Sequence, residues 1–76
     1  MEVHIYIAFK GSESDADRVL GNYWDEGLVE FMVEGGSGEI FLQTVWESED
    51  DWNEVEFDVI DDLDRKGQVV DYGYDY

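Results

Sequence analysis

Apolar and polar residues alternate with a period of two over VHIYIAF (3–9): Val3, Ile5, Ile7 and Phe9 fall on one side, His4, Tyr6 and Ala8 on the other. β-Branched and aromatic residues in that pattern predict a strand, which Lys10-Gly11 ends. The period then changes. In SESDADRVLGNYWDEG (12–27), Ala16, Val19, Leu20 and Tyr23 recur at helical spacing. Ser12 or Ser14 can cap the helix N-terminus, and Gly27 suits its C-cap. Gly21, inside this helix, weakens it by about 1 kcal/mol relative to alanine.

Strand character returns in LVEFMVE (28–34) and EIFLQTVW (39–46), and Gly35-Gly36-Ser37-Gly38 between them predicts a hairpin turn. Val29, Phe31 and Val33 form one apolar face of the first of these strands. The second can be read in two registers, with either Ile40, Leu42 and Trp46 or Phe41 and Val45 turned inward. Ser48 then caps a second helix, with Glu49, Asp50 and Asp51 in the first turn, where the helix dipole favours anions. Trp52, Val55, Val59 and Leu63 make one stripe with Ile60 at its edge. Arg65 and Lys66 occupy the last turn and Gly67 follows as C-cap. QVVDYGYDY (68–76) alternates again and predicts a closing strand.

The order β-α-β-β-α-β, without linker, repeat or proline, is the ferredoxin-like α+β pattern: a four-stranded antiparallel sheet with two helices on one face. Right-handed crossovers would put the first and third strands at its centre. The other sheet face would be partly open, carrying His4 and Tyr6 together with Tyr72 or Tyr74. With 76 residues, the chain is read as a single domain over residues 1–76.

Charge changes this picture most. There are 21 acidic residues against 4 basic ones (Lys10, Arg18, Arg65 and Lys66), a net charge of −17. A disordered acidic tail is excluded, because 43% of the residues are hydrophobic and 16% aromatic. DNA, RNA and anionic membrane are poor partners, since each demands a basic footprint; a basic protein surface is the expected one. The chain lacks cysteine, so disulfide and thiolate chemistry are absent. Its first residues lack a basic leader and no stretch reaches the roughly 20 apolar residues of a membrane span. A cytoplasmic location is the default expectation.

The second helix concentrates the charge. Positions 49–64 carry nine carboxylates, about one per 2.7 Å of helix, against about one per 1.7 Å for duplex DNA. Asp50, Glu54, Asp58 and Asp61 share a face with Asp64 beside them, and only Asp61–Arg65 and Asp62–Lys66 offer compensating pairs. Like charges at this spacing cost a helix about 0.2–0.5 kcal/mol each. A plain solvated face competes with a functional reading, in which Glu54, Asp58, Asp61 and Asp62 contact a partner. Asp50, Asp51, Asp64, Tyr72 and Tyr74 would support them.

Other chemistry is thinner. His4 is the only histidine and reads as a surface residue, with no second histidine or cysteine to complete a metal site. GGSGE (35–39) lacks the lysine and strand-to-helix context of a phosphate loop. ESEDD (47–51) and DVIDDLD (58–64) lack the geometry of a specific calcium loop. A chain this short has little scope for a cleft that retunes a carboxylate pair. No enzyme activity and no cofactor are therefore expected.

Small size, absent cysteine, the α+β order and the helix ESEDDWNEVEFDVIDDLD (47–64) together resemble the small acidic nucleic-acid mimics that phages use as anti-CRISPR and anti-restriction inhibitors. This resemblance implies an inhibitor that fills the basic groove of a nucleic-acid-handling protein, a host-defence nuclease or CRISPR effector, and blocks nucleic-acid access. DADRVLGNYWDEG, LVEFMVE, EIFLQTVW and GQVVDYGYD are also similar in order to acidic domains of the ribonuclease-E regulator B type. Alternatives of the same chemistry are an immunity protein or antitoxin against a basic nuclease. A halophile's acidic domain is a further alternative, in which charge serves solubility alone.

Overall fold

The computed structural model describes residues 1–35 and 38–75. Its elements are β1 (Val3–Lys10), α1 (Glu13–Gly21), a single 3₁₀ turn (Trp24–Glu26), β2 (Leu28–Gly35), β3 (Ile40–Trp46), α2 (Glu49–Lys66) and β4 (Gln68–Tyr74). The four strands form one antiparallel sheet in the order β2-β3-β1-β4, so the first and third strands are central as expected. Both helices lie on one face of this sheet, the ferredoxin-like α+β arrangement. The hairpin is closed by the Gly35–Ile40 pair; Gly36 and Ser37 of its turn lie outside the described residues.

Ser12 and Ser48 cap the two helices, their hydroxyls accepting from the amides of Asp15 and Asp51. Each cap satisfies one of the backbone donors that a helix start leaves orphaned. Helix α2 runs its full predicted length and buries Trp52, Val55, Val59 and Leu63, each contributing about 1.5–3 kcal/mol by area. Helix α1 is shorter than the periodicity predicts. It ends at Gly21 with Asn22 as cap, and the chain passes through Tyr23 into the 3₁₀ turn before Gly27 at φ +103° redirects it into β2. Glycine and asparagine are weak helix formers, while Tyr23 is drawn into the core. The turn is held by the Leu28 amide donating to the Tyr23 carbonyl at 3.3 Å.

Two bulges re-aim side chains. Leu28 pairs with Trp46 and Glu30 with Val45, so Val29 is the extra residue and stands exposed. Leu28, and not Val29, therefore joins Phe31 and Val33 on the inner face. A matching shift pairs Ala8 with Asp71 and Phe9 with Val69, leaving Val70 exposed. A bulge inserts one residue and reverses the alternation beyond it.

The β3 register is settled by Thr44, which is fully buried. Its hydroxyl donates to the Ile5 carbonyl at 3.0 Å and accepts from the Trp46 indole N–H at 2.8 Å. Leu42, Thr44 and Trp46 thus face the helices, while Phe41 and Gln43 face away. At the core's centre the Trp46 and Trp52 rings lie 5.2 Å apart, with Tyr72 edge-on to Trp52 at 6.3 Å. Gly67 follows α2 with its amide donating to the Leu63 carbonyl at 3.0 Å. Its need for glycine lies in close approach: a Cβ there would stand 2.2 Å from the Lys10 carbonyl oxygen.

Candidate functional site

The α2 carboxylates do not form one free array. Asp50, Glu54 and Asp58 are exposed and make no hydrogen bond or ion pair among the described residues. Asp61 accepts an ion pair from Arg65 at 2.8 Å, both side chains lying largely in water. Asp62 is half-buried and accepts from the Tyr23 hydroxyl. Asp64 accepts from the Val69 amide at 2.9 Å, tying the helix end to β4. Asp51 is half-buried, packed where a Cβ on Gly27 would stand. Of the acidic residues singled out from the sequence, three are solvated and the other four take part in local structure.

Tyr72 and Tyr74 depart from the open-face placement. They pair with Ile7 and Ile5 of β1 and lie under α2, where their hydroxyls donate to Glu56 at 2.9 Å and Glu49 at 3.4 Å. The bulge at Val70 shifts the alternation of β4 and turns both tyrosines to the helix side. On the open face, Tyr6 donates to Asp71 at 3.2 Å. Hydrogen bonding to carboxylates raises the Tyr6 and Tyr72 phenols above their ordinary range, and burial followed by the Asp62 bond raises Tyr23 further. A carboxylate acceptor favours the protonated phenol, because ionising it would set two anions in contact.

A concavity lies elsewhere, between α1 and edge strand β2. Helix α1 has 9 residues, about 13 Å at 1.5 Å per residue, whereas the 8 residues of β2 span about 26 Å. The short helix leaves the inner face of the edge strand half covered. The result is an open cleft of about 690 Å³ lined by Glu13, Ser14, Asp17, Phe31 and Val33, within the size range of small-molecule sites. Phe31 and Val33 form its apolar floor, both half-buried. Trp24, 46% exposed, leans on Phe31 with ring centroids 5.7 Å apart. Glu13 and Asp17 stand one helical turn apart, exposed and without an ion-pair partner among the described residues. Such an arrangement can bury an apolar body, hydrogen-bond it through Ser14, and pair with a cation or accept a proton through the carboxylates.

Sequence reasoning named Ser14 as a possible cap and Phe31 and Val33 as an apolar strand face, and none of the cleft residues as a functional candidate. The cleft lies against the N-terminal half of α1, at Glu13, Ser14 and Asp17, and depends on how that half passes edge strand β2, for which the sequence carries no local signal. Smaller concavities of about 350 Å³ and 220 Å³ flank Tyr74 and the open face around Met32. Among the described residues no group of three or more His, Cys, Asp or Glu side chains is placed to hold a metal ion. No helix there is long and apolar enough to cross a membrane.

The fold belongs to the ferredoxin-like α+β class, and comparison with known proteins adds one likeness. No protein-family model and no curated protein matches this chain. A solved structure from Chloroflexus aurantiacus J-10-fl, of a protein provisionally named an antibiotic biosynthesis monooxygenase, superposes with a TM-score of 0.54. It is similar over 99% of this chain and 91% of its own, at 10% sequence identity. At that identity the likeness concerns the fold.

This finding corrects the expectation of a phage nucleic-acid mimic of anti-CRISPR or anti-restriction type, and that of a chain without enzymatic character. The architecture is shared with a protein whose name carries an enzymatic reaction. The physical reason the composition misled is visible in α2. Asp61, Asp62 and Asp64 serve the ion pair, the tyrosine and the strand amide of this fold, so charge density along the helix overstated the free surface.

Proposed function

We propose that this protein binds a small organic molecule in the cleft between α1 and β2 and acts on it there. The observation that carries the reading is the cleft itself. Its floor of Phe31 and Val33 is left half covered by a short helix, and Glu13, Ser14 and Asp17 converge on its rim. Ligand sites combine apolar surface with a small number of polar groups; both are present here, with polar residues the majority of the lining. The fold it shares with the Chloroflexus protein makes oxidation of the bound molecule the first reaction to try.

Heteronuclear NMR against a library of fragment-sized compounds tests the reading directly. Ligands are expected to shift the amides of Phe31 and Val33 and the Trp24 indole N–H before any other signal. Compounds that bind would then be followed for oxygen uptake and product formation. A library that leaves these signals unmoved at millimolar concentration sinks the cleft as a site.

A further inference from the structure

We propose that the ligand of the α1–β2 cleft is an organic cation with a flat apolar body, its charge held by Glu13 and Asp17 and its ring laid against Phe31 and Trp24. The inference rests on the cleft being a small-molecule site and adds the chemical class of its occupant.

Glu13 and Asp17 stand at i and i+4 on α1, where like charges oppose the helix. Both line the cleft, neither meets a cation among the described residues, and Arg18, the basic residue of α1, is not part of the lining. The N-terminal end of α1 supplies a positive dipole end of only about half a charge, so two formal negative charges stay largely uncompensated at the rim. A cation seated there removes the mutual repulsion as it binds. An anionic ligand would meet both this pair and the whole-chain charge of −17. A neutral one would gain from the floor alone.

The aromatic pair points the same way. Trp24 sits outside the core, 46% exposed on the 3₁₀ turn, and its ring is tilted 35° to that of Phe31. Phe31 belongs both to this pair and to the cleft floor. Faces of indole and phenyl rings attract cations through their quadrupoles, with indole the strongest. A flat ring can therefore lie along the Phe31 wall with its charge directed to α1. Carboxylates on one side, and on the other the half-buried Phe31 ring with the exposed Trp24 packed beside it at the cleft's border, suit an aromatic or ring-bearing ammonium ion.

The test uses the full chain and three probes sharing one bicyclic ring: N-methylquinolinium, quinoline and quinolinecarboxylate, compared near neutral pH, where quinoline carries no charge. The expected result is saturable binding of the quinolinium ion, with shifts centred on Phe31, Val33 and the Trp24 indole. Quinoline should bind about tenfold more weakly, and the carboxylate not at all. The double variant Glu13→Gln, Asp17→Asn should weaken the cation about tenfold, while Asp50→Asn, Asp58→Asn, which removes the same charge from α2, should change it less than about twofold. Both variants alter exposed side chains, and their melting curves confirm that they fold. Equal binding of quinoline and quinolinium in the cleft overturns the charge inference and leaves the cleft as a ligand site. Cation shifts spread along α2, weakened alike by both variants, overturn it in favour of diffuse counterion association. Cleft signals unmoved by all three probes overturn the inference and the small-molecule reading together.

Discussion

The Tyr23 hydroxyl donates to Asp62 Oδ2 across 39 positions of sequence, joining the segment after α1 to the C-terminal half of α2. The tyrosine ring is buried in the core and its hydroxyl reaches the one α2 carboxylate close enough to accept. Hydrogen bonds to charged acceptors contribute about 1.5–3 kcal/mol where partly shielded from water. Tyr23→Phe is therefore expected to lower unfolding free energy by about 1–2 kcal/mol in urea titrations.

The same bond sets a pH dependence. Burial and Asp62 raise the Tyr23 phenol in the folded chain, and hydrogen-bonded carboxylates raise Tyr72 and Tyr6. Folding then holds these protons more tightly than the unfolded chain, where tyrosine titrates near pH 10. Their stabilisation is complete below about pH 10 and is withdrawn as the pH rises from there through the folded-state range. Alkaline unfolding followed by far-UV circular dichroism should show this loss above about pH 10, and a smaller loss in Tyr23→Phe.

Thr44→Val keeps the side-chain shape but deprives the buried Trp46 indole N–H of its acceptor. An orphaned buried donor costs about 1–3 kcal/mol, and denaturant midpoints should fall accordingly. Thr44→Ser retains the hydroxyl and should recover most of the loss. Equal destabilisation by both variants would mean that methyl packing, not the hydrogen bond, matters at this position.

Glycine is required at position 67 and dispensable at 21. A Cβ on Gly67 would collide with the Lys10 carbonyl and the Phe9 ring, whereas one on Gly21 meets nothing nearer than the Trp24 indole nitrogen at 3.9 Å. Gly67→Ala is expected to cost about 1–3 kcal/mol through overpacking. Gly21→Ala should be neutral or stabilising by up to about 1 kcal/mol through helix propensity.

Removing repulsion on α2 should stabilise the chain. Glu54→Gln with Asp58→Asn takes two charges from an exposed run that lacks partners, and each relieved like-charge pair is worth about 0.2–0.5 kcal/mol. The gain in melting temperature should be clear at low ionic strength. It should fade near 1 M salt, where screening acts within about 3 Å. A gain that persists in salt would point to helix propensity instead.

Local patterning determined most of the architecture on its own. A serine at 12 or 14, Ser48, the apolar stripe Trp52-Val55-Val59-Leu63 and the alternation of β1 specified two capped helices on an antiparallel sheet; these elements are present in that order, with Ser12 as the first cap. Periodicity and capping are properties of neighbours in sequence, so they survive without tertiary information. Three features came only with the assembled fold. The bulges at Val29 and Val70 turned Leu28 inward and Tyr72 and Tyr74 beneath α2, because strand register is set by the partner strand. The early end of α1 came with packing, because a weak helix position is decided by where the following residues must go, here Tyr23 into the core and onto Asp62. The fate of each α2 carboxylate was decided in the same way. A sequence shows how many charges a helix carries, but which of them meet a tyrosine, an amide or an arginine depends on distances that only packing creates.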